Sequence, residues 1–204
     1  MNTALFFCVT REEKMLYRIS SGIAKKMATV GIVSQESVDT YVYGIELLVS
    51  FFFSAGIIIT IGLIAGKIIE TIVFLSVFII LRSFTGGFHA NTFIKCTIIT
   101  LLTYGIVLLL SCLITIPLPV YFAFTLIELV LISIFAPIEN INKPIKGKKR
   151  IRHKVTSIVL LILFAGIGFL LNYYFNLKAL GSTVFFSLVV DTLLLFPREK
   201  RKEE

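Results

Sequence analysis

The chain has 204 residues, of which 57% are hydrophobic and 16% are charged, and its formal net charge at pH 7 is +8. Soluble domains carry about 25% charged residues, so this composition excludes an ordinary soluble globular protein. The long apolar runs instead predict an all-α integral membrane protein in one domain, residues 1–204. The first residues, MNTALFFCVT, have no cation before a short apolar run, so we expect no cleaved secretory signal.

Residues 11–31 are predicted to form an amphipathic helix at the membrane surface. Apolar residues recur there at spacings of three and four, namely Leu16, Ile19, Ile23, Met27 and Val30. This spacing gives a helix one apolar face, while its cations point elsewhere. The pattern fits both a plain membrane anchor and a docking site for an amphipathic partner peptide.

Six apolar segments follow and predict about six transmembrane helices between residues 42 and 196. The segments cover residues 42–66, 68–84, 97–116, 120–137, 155–175 and 180–196. The second segment is short because Arg82 ends it. The sequences AGK at 65–67 and PLP at 117–119 predict tight turns between antiparallel neighbours, and residues 197–204 form a charged tail.

Positive charge predicts the orientation of these spans. With the N-terminus in the cytoplasm, eighteen of the twenty Lys and Arg residues fall in cytoplasmic segments, and only Lys67 and Lys178 fall outside. The positive-inside rule therefore predicts cytoplasmic termini and a cytoplasmic 138–154 loop. Because topology and anionic lipid explain the basic composition, we expect the lipid bilayer as a partner and no nucleic acid.

The segment TGGFHANTFIKC, residues 85–96, interrupts the apolar pattern between the second and third spans. It contains His89 and Cys96, a combination that suggests a thiolate nucleophile and its base in a reducing compartment. Cys96 is expected at the N-terminus of the third span, where unpaired backbone amides favour a thiolate. We therefore interpret His89 and Cys96 as a candidate catalytic pair.

Four further residues are candidates for supporting this pair. Gly86 and Gly87 allow a tight turn or a close approach of the substrate. Arg82 is a cation at the membrane edge, which can bind a substrate carboxylate, stabilise an oxyanion, or simply end the span. Glu139, after the fourth span, is a weaker candidate for orienting His89.

The remaining polar residues of the apolar part give weaker signals. Cys112 lies deep in the predicted third span and, like Cys8, is expected to be inert. Four acids lie in or near spans, where carboxylates often have a function: Glu46, Glu70, Glu128 and Asp191. No Cys and His spacing matches a structural zinc site, so we expect no metal and no cofactor.

The segment RSFTGGFHANTFIKC resembles the signature of the accessory gene regulator B family, membrane-embedded cysteine endopeptidases of Gram-positive bacterial quorum sensing. In that family an Arg, a Gly-Gly-x-His and a Cys seven residues after the His occur in this order. The matching residues are Arg82, Gly86, Gly87, His89 and Cys96. The segment APIENINKPI at 136–145 is similar to a second family segment, and the length, the six apolar segments and the basic 146–154 loop also agree.

The resemblance implies a peptidase of the bacterial plasma membrane, with its active site on the cytoplasmic side. Its substrate would be a short amphipathic quorum-sensing propeptide, from which it removes the C-terminal tail. His89 would activate Cys96, and Cys96 would hold the propeptide as an acyl-thioester until a cyclic lactone or thiolactone autoinducing peptide forms. A homodimer is compatible with the resemblance. The alternatives are a multi-span transporter or exporter and a non-catalytic membrane scaffold.

His89 and Cys96 cannot cooperate along one straight helix. Seven residues of α-helix rise about 10.5 Å, whereas proton transfer needs heavy atoms about 3 Å apart. We therefore predict a bend between Gly86 and Cys96, which brings the two side chains within about 5 Å of each other in a competent state.

Overall fold

The computed structural model describes residues 17–86, 93–138 and 148–195, and these residues are helical almost throughout. Helix α1 covers residues 17–29 and is followed by a 3-10 turn, Gln35–Ser37. The other helices are α2 (Val38–Ile64), α3 (Ile68–Thr85), α4 (Phe93–Leu113), α5 (Leu118–Phe135), α6 (Lys148–Phe169), a π-helical turn (Leu170–Tyr174) and α7 (Lys178–Leu193). One isolated bridge is the only β-type pairing in this part of the chain. The predicted all-α class is confirmed.

Five of the described helices are long and apolar enough to cross a membrane, which confirms the prediction of an integral membrane protein. They are α2, α3, α4, α5, and α6 together with its π-helical turn. Helix α7 occupies the predicted sixth span but has only 16 residues, short of the roughly 20 residues that a full crossing needs. It is mostly buried and contacts α3, α5 and α6, so it is an inner helix of the bundle. The count of six spans stays a prediction.

Helix α1 lies within the predicted amphipathic segment. Its fully buried positions are Ser20 and Ala24, one helical turn apart. The predicted apolar face is largely exposed, because Ile19 and Ile23 show 51% and 44% of their surface. The small residues therefore pack inside the protein while the large apolar residues point outward, as expected for a helix at a membrane interface. The roles of anchor and docking site both stay predictions.

A glycine ends α2 and produces the tight turn to α3. Gly66 has a φ angle of 65°, which glycine adopts without steric cost. The Lys67 N–H donates to the Gly62 carbonyl at 2.8 Å, and the Gly66 N–H donates to the Leu63 carbonyl at 3.1 Å, as in a Schellman cap. Lys67 Nζ also lies 3.2 Å from Glu70 Oε1, in the first turn of α3. The predicted AGK turn is confirmed.

The described chain divides into two compact units. The first contains the described residues of Met1–Gly56 and His89–Thr100, and the second contains those of Ile57–Phe88 and Leu101–Glu204. The prediction of a single domain stays a prediction. The largest apolar core of the second unit is supplied by α3, α5, α6 and α7. Its buried side chains include Val77, Leu81, Ile132, Leu161, Val184 and Leu188.

Contacts within the second unit join the ends of helices in the way that the predicted topology requires. The Ile138 N–H, just after α5, donates to the Thr85 carbonyl at 2.9 Å. The Thr85 hydroxyl in turn lies 3.3 Å from Asp191 Oδ2, near the end of α7. The Tyr173 hydroxyl donates to the Ile116 carbonyl at 2.7 Å. Each contact joins connections or helix ends that alternating antiparallel spans put on the same membrane face.

Cysteine labelling tests the orientation of these two faces. In a background without the native cysteines, Lys148→Cys should resist an impermeant maleimide in intact cells and react in inverted vesicles, because 138–154 is predicted to be cytoplasmic. Lys178→Cys is the matched control, since both lysines are exposed at the first residue of a helix, and it should react in intact cells. Labelling of Lys148→Cys from outside would contradict the predicted orientation.

Glycine allows α6 and α7 to approach closely. A Cβ atom added at Gly168 would lie 2.7 Å from Tyr121 Oη and 3.0 Å from Val184 Cγ1. Tyr121 cannot easily move, because its hydroxyl donates to the Ala165 carbonyl at 2.6 Å. Close packing over small residues is a main source of stability between membrane helices, since lipid removes the hydrophobic advantage of association.

Gly168→Ala is therefore expected to destabilise the protein by about 1–3 kcal/mol, the usual cost of overpacking. The measurement is the midpoint of thermal unfolding in detergent. Gly166→Ala is the matched control, because a Cβ atom there meets nothing within 4 Å, and it should change stability by less than about 0.5 kcal/mol. Equal midpoints for the two variants would show that this helix contact tolerates a methyl group.

Candidate functional site

The C-terminal end of α3 is a sharp backbone corner at Gly86. Gly86 has φ 71° and ψ −147°, a region that residues with a side chain essentially avoid. Its N–H still donates to the Arg82 carbonyl at 3.1 Å. It forms a parallel bridge with Ile138, and an added Cβ atom would overlap the Ile138 carbonyl oxygen. The first motif therefore meets the second, at 136–145, through the backbone.

Arg82 lies one turn before this corner and is largely buried. Its Nη1 is 3.7 Å from Asp191 Oδ1, and its guanidinium carbon lies 5.3 Å from the centre of the Phe78 ring. At 3.7 Å the pair attracts as ions but is too long for a hydrogen bond. The side chain of Arg82 is 16% exposed and that of Asp191 is 1% exposed. The structure thus gives the candidate cation a fixed acidic neighbour.

Thr85 links the same acid to the corner. Its hydroxyl lies 3.3 Å from Asp191 Oδ2 and 3.1 Å from the Leu81 carbonyl, and Thr85 itself is fully buried. Asp191 therefore faces two residues of the last turn of α3. Sequence reasoning marked Asp191 only as one of four acids in or near spans. Its partners were not predictable, because α3 and α7 are far apart in the chain.

Cys96 lies in the first unit, in the first turn of α4. Its thiol is half-buried and is not in a disulfide. The next residue, Thr97, is buried, and its hydroxyl is 3.1 Å from the hydroxyl of Ser54 on α2. The Thr100 hydroxyl donates to the Cys96 carbonyl at 2.9 Å. The contact between Thr97 and Ser54 attaches the start of α4 to α2 next to Cys96. The Cys96 thiol is reduced and can act as a nucleophile.

Three of the predicted site residues, Gly87, His89 and Glu139, lie outside the described residues. The predicted approach of His89 to Cys96 therefore stays a prediction. The chain does leave the helical conformation at Gly86, and α4 begins at Phe93. The second histidine, His153, is partly buried, and its ring centre lies 5.6 Å from that of Phe84.

The other polar candidates are placed as follows. Cys112 is exposed and lies one residue before the end of α4, so the prediction that it lies deep in the span was wrong. It was misplaced because the helix ends before the turn residues at 114–117. Glu70 pairs with Lys67, and Glu128 is buried with 3% exposure. Among the described residues, no group of three or more His, Cys, Asp or Glu could hold a metal ion.

Comparison with known proteins identifies the family of the chain. The family model for accessory gene regulator B matches residues 17–195. A "Putative AgrB-like protein" of Lactiplantibacillus plantarum is 27% identical over 165 residues, covering 79% of each chain. A "Putative AgrB-like protein 2" of Clostridium perfringens is 27% identical over 191 residues, covering 86% of each chain. An "Accessory gene regulator protein B" of Staphylococcus saprophyticus is 26% identical over 162 residues, covering 79% of this chain and 82% of its own.

No solved structure matches the chain. The family match covers both motifs, all the described helices from α1 to α7, and each predicted catalytic residue. The chain therefore belongs to the accessory gene regulator B family.

Proposed function

We propose that this protein is a membrane-embedded cysteine endopeptidase that processes a quorum-sensing propeptide. Membership of the family supports a role in processing such a peptide. The chemistry rests on one observation: Cys96, the motif cysteine, is a reduced and accessible thiol in the first turn of α4. The backbone corner at Gly86 precedes it by ten residues, and His89 lies between them in sequence.

The proposed reaction begins with attack of Cys96 Sγ on the carbonyl carbon of the scissile peptide bond. His89 accepts the thiol proton and later delivers it to the leaving amine, so that the C-terminal tail departs as a neutral or protonated amine. The N-terminal part remains joined to Cys96 as an acyl-thioester. No oxidant or other co-reactant is needed for this step.

An internal cysteine of the propeptide then attacks the thioester carbonyl and releases Cys96 as a thiol. Because one thioester replaces another, the exchange changes the free energy little, and water must be kept away while the intermediate persists. If the propeptide supplies a hydroxyl instead, the product is a lactone. The substrate therefore determines whether the product is a thiolactone or a lactone. His89 and Cys96 have the same roles in both cases.

Arg82 and the Gly86–Gly87 pair support this reaction in the proposal. Arg82 can stabilise the oxyanion that forms during attack, or bind a carboxylate of the propeptide. Gly86 turns the chain out of α3 and so sets the starting point of the segment that carries His89. Backbone amides near glycine can also approach a peptide closely, because no side chain is in the way.

Reconstitution tests the proposal. The purified protein in liposomes is mixed with a short, cysteine-containing propeptide, which we expect to be encoded beside its gene, and mass spectrometry looks for the released tail and the cyclic product. Accumulation of both supports the peptidase. Uptake of intact peptide into the liposomes without a tail fragment would favour the transporter, to which the buried Glu128 of α5 is suited.

A further inference from the structure

We propose that Asp191 is a positioning residue for the reaction, acting through Arg82 and the last turn of α3. This inference rests on the proposed peptidase function. Asp191 is 1% exposed and faces that turn with both of its carboxylate oxygens. Oδ1 is 3.7 Å from Arg82 Nη1, and Oδ2 is 3.3 Å from the Thr85 hydroxyl.

The ion pair with Asp191 restricts the positions that the Arg82 guanidinium can take. An arginine on a helix has four rotatable side-chain bonds, and restricting it lowers the entropy that must be lost when substrate arrives. Here the side chain is held between the Phe78 ring on its own helix and Asp191 on α7. Because α7 is the inner helix of the second unit, Asp191 has little freedom to follow a displaced arginine.

The contact with Thr85 acts on the backbone rather than on a side chain. Thr85 immediately precedes Gly86, and its carbonyl accepts the hydrogen bond from the Ile138 N–H. Asp191 therefore holds the residue from which the corner starts. A small rotation of this turn would shift the Gly86 corner, and displacements of about 1 Å in an active site can cost about 100-fold in rate.

A purely structural ion pair is the competing interpretation. Such a pair would change the amount or stability of the protein, but its effect on rate would be independent of Arg82. A positioning residue gives a different result, because its effect disappears once Arg82 can no longer be positioned. Double-mutant cycles separate these two cases.

The experiment compares Asp191→Asn, Arg82→Lys and the double variant in the reconstituted cleavage assay. We expect Asp191→Asn to lower kcat/KM by about 10-fold to 100-fold in the native background, and by less than about two-fold in the Arg82→Lys background. Asp191→Glu should recover part of the loss, since it restores the charge. The split between kcat and KM then tells whether Arg82 acts on the oxyanion or binds the substrate.

Glu128→Gln is the comparison variant, because Glu128 is also a buried carboxylate, with 3% exposure, whereas the ion pair with Arg82 is formed by Asp191. It should retain native kcat/KM. The inference is overturned if Asp191→Asn retains native kcat/KM, as Glu128→Gln should. It is also overturned if the loss of kcat/KM in the double variant equals the product of the losses in the two single variants.

Removing one charge of a buried pair can prevent folding, because the other charge remains unpaired. Thr85→Val therefore serves as the second variant, since it keeps both charges and the side-chain shape and removes only the hydroxyl. We expect it to lower kcat/KM by about three-fold to ten-fold at unchanged yield, the effect of losing one hydrogen bond of ordinary strength, because the 3.3 Å contact with Asp191 is long and the hydroxyl also lies 3.1 Å from the Leu81 carbonyl. Native kcat/KM in a well-folded Thr85→Val would count against the inference.

The failure of this inference can be told apart from failure of the proposed function. If the native protein releases no tail fragment, the peptidase itself is wrong. If the native protein cleaves and the Asp191 and Thr85 variants cleave equally well, only the positioning role is wrong.

Discussion

Cys96→Ala is expected to abolish cleavage of the propeptide while leaving membrane insertion unchanged. Alanine removes the sulfur atom that forms the acyl-thioester in the proposed reaction, and loss of a covalent nucleophile typically lowers kcat by about 10⁴-fold or more. The side chain is half-buried at the start of α4, so replacing sulfur by hydrogen costs little packing. The measurement is the rate of tail release from liposomes that contain equal amounts of native and variant protein.

Cys112→Ala is the matched control for this variant. Cys112 lies in the same helix, near its other end, and is likewise not in a disulfide. It should cleave at the native rate, as should Cys8→Ala, whereas His89→Ala should be as inactive as Cys96→Ala. Persistent cleavage by Cys96→Ala would eliminate the cysteine peptidase, and inactivity of Cys112→Ala alone would indicate that the wrong thiol has been assigned.

The intermediate offers a second measurement of the same chemistry. The native protein should carry the N-terminal part of the propeptide as a covalent adduct that neutral hydroxylamine releases, because hydroxylamine attacks thioesters faster than it attacks amides. A propeptide variant without the internal cysteine should increase the adduct, since its normal acceptor is absent. Neither adduct nor release is expected with Cys96→Ala. An adduct located on another residue would contradict the assignment.

Apolar periodicity predicted the helical architecture well, because the signals were local. Gly66 ended α2, and the proline-containing segment at 117–119 began α5, so the turns were found where the sequence indicated. The boundaries were less accurate. The described part of helix α6 includes residues from Lys148 onward, whereas the membrane span was predicted to start at residue 155, because a helix can continue through polar residues that hydropathy assigns to a loop. Length alone also could not show that α7 is an inner helix.

The candidate site was only partly predictable for a related reason. Spacing identified Arg82, Gly86 and Cys96 as residues of interest, since glycine and a membrane-edge cation are informative by themselves. Their partners Asp191 and Ile138 come from distant parts of the chain, and no single-sequence pattern reveals such a pairing. Gly86 illustrates this. The glycine itself predicted a tight turn or a close approach, but no sequence pattern showed that the backbone of Ile138 would be its neighbour.

Gly86→Ala is the second variant with a large expected effect. Its φ of 71° and ψ of −147° cost an alanine about 1–3 kcal/mol of backbone strain. In addition, the new methyl group would overlap the Ile138 carbonyl oxygen, and that backbone cannot rotate away as a flexible side chain could. We expect the bridge between the two motifs to break, and cleavage to fall by about 100-fold. The measurements are kcat/KM and the thermal unfolding midpoint in detergent.

Gly105→Ala separates this effect from a general intolerance of glycine replacement. Gly105 lies inside α4, has no positive φ, and would place its new Cβ atom at least 4 Å from any neighbour. Alanine also favours a helix more than glycine does, so native activity and an equal or higher midpoint are expected. If Gly86→Ala matches Gly105→Ala in both measurements, the corner is not needed for catalysis. If only its midpoint falls while kcat/KM stays native, the bridge between α3 and the segment after α5 stabilises the fold, and the position of the segment that carries His89 must be set by other contacts.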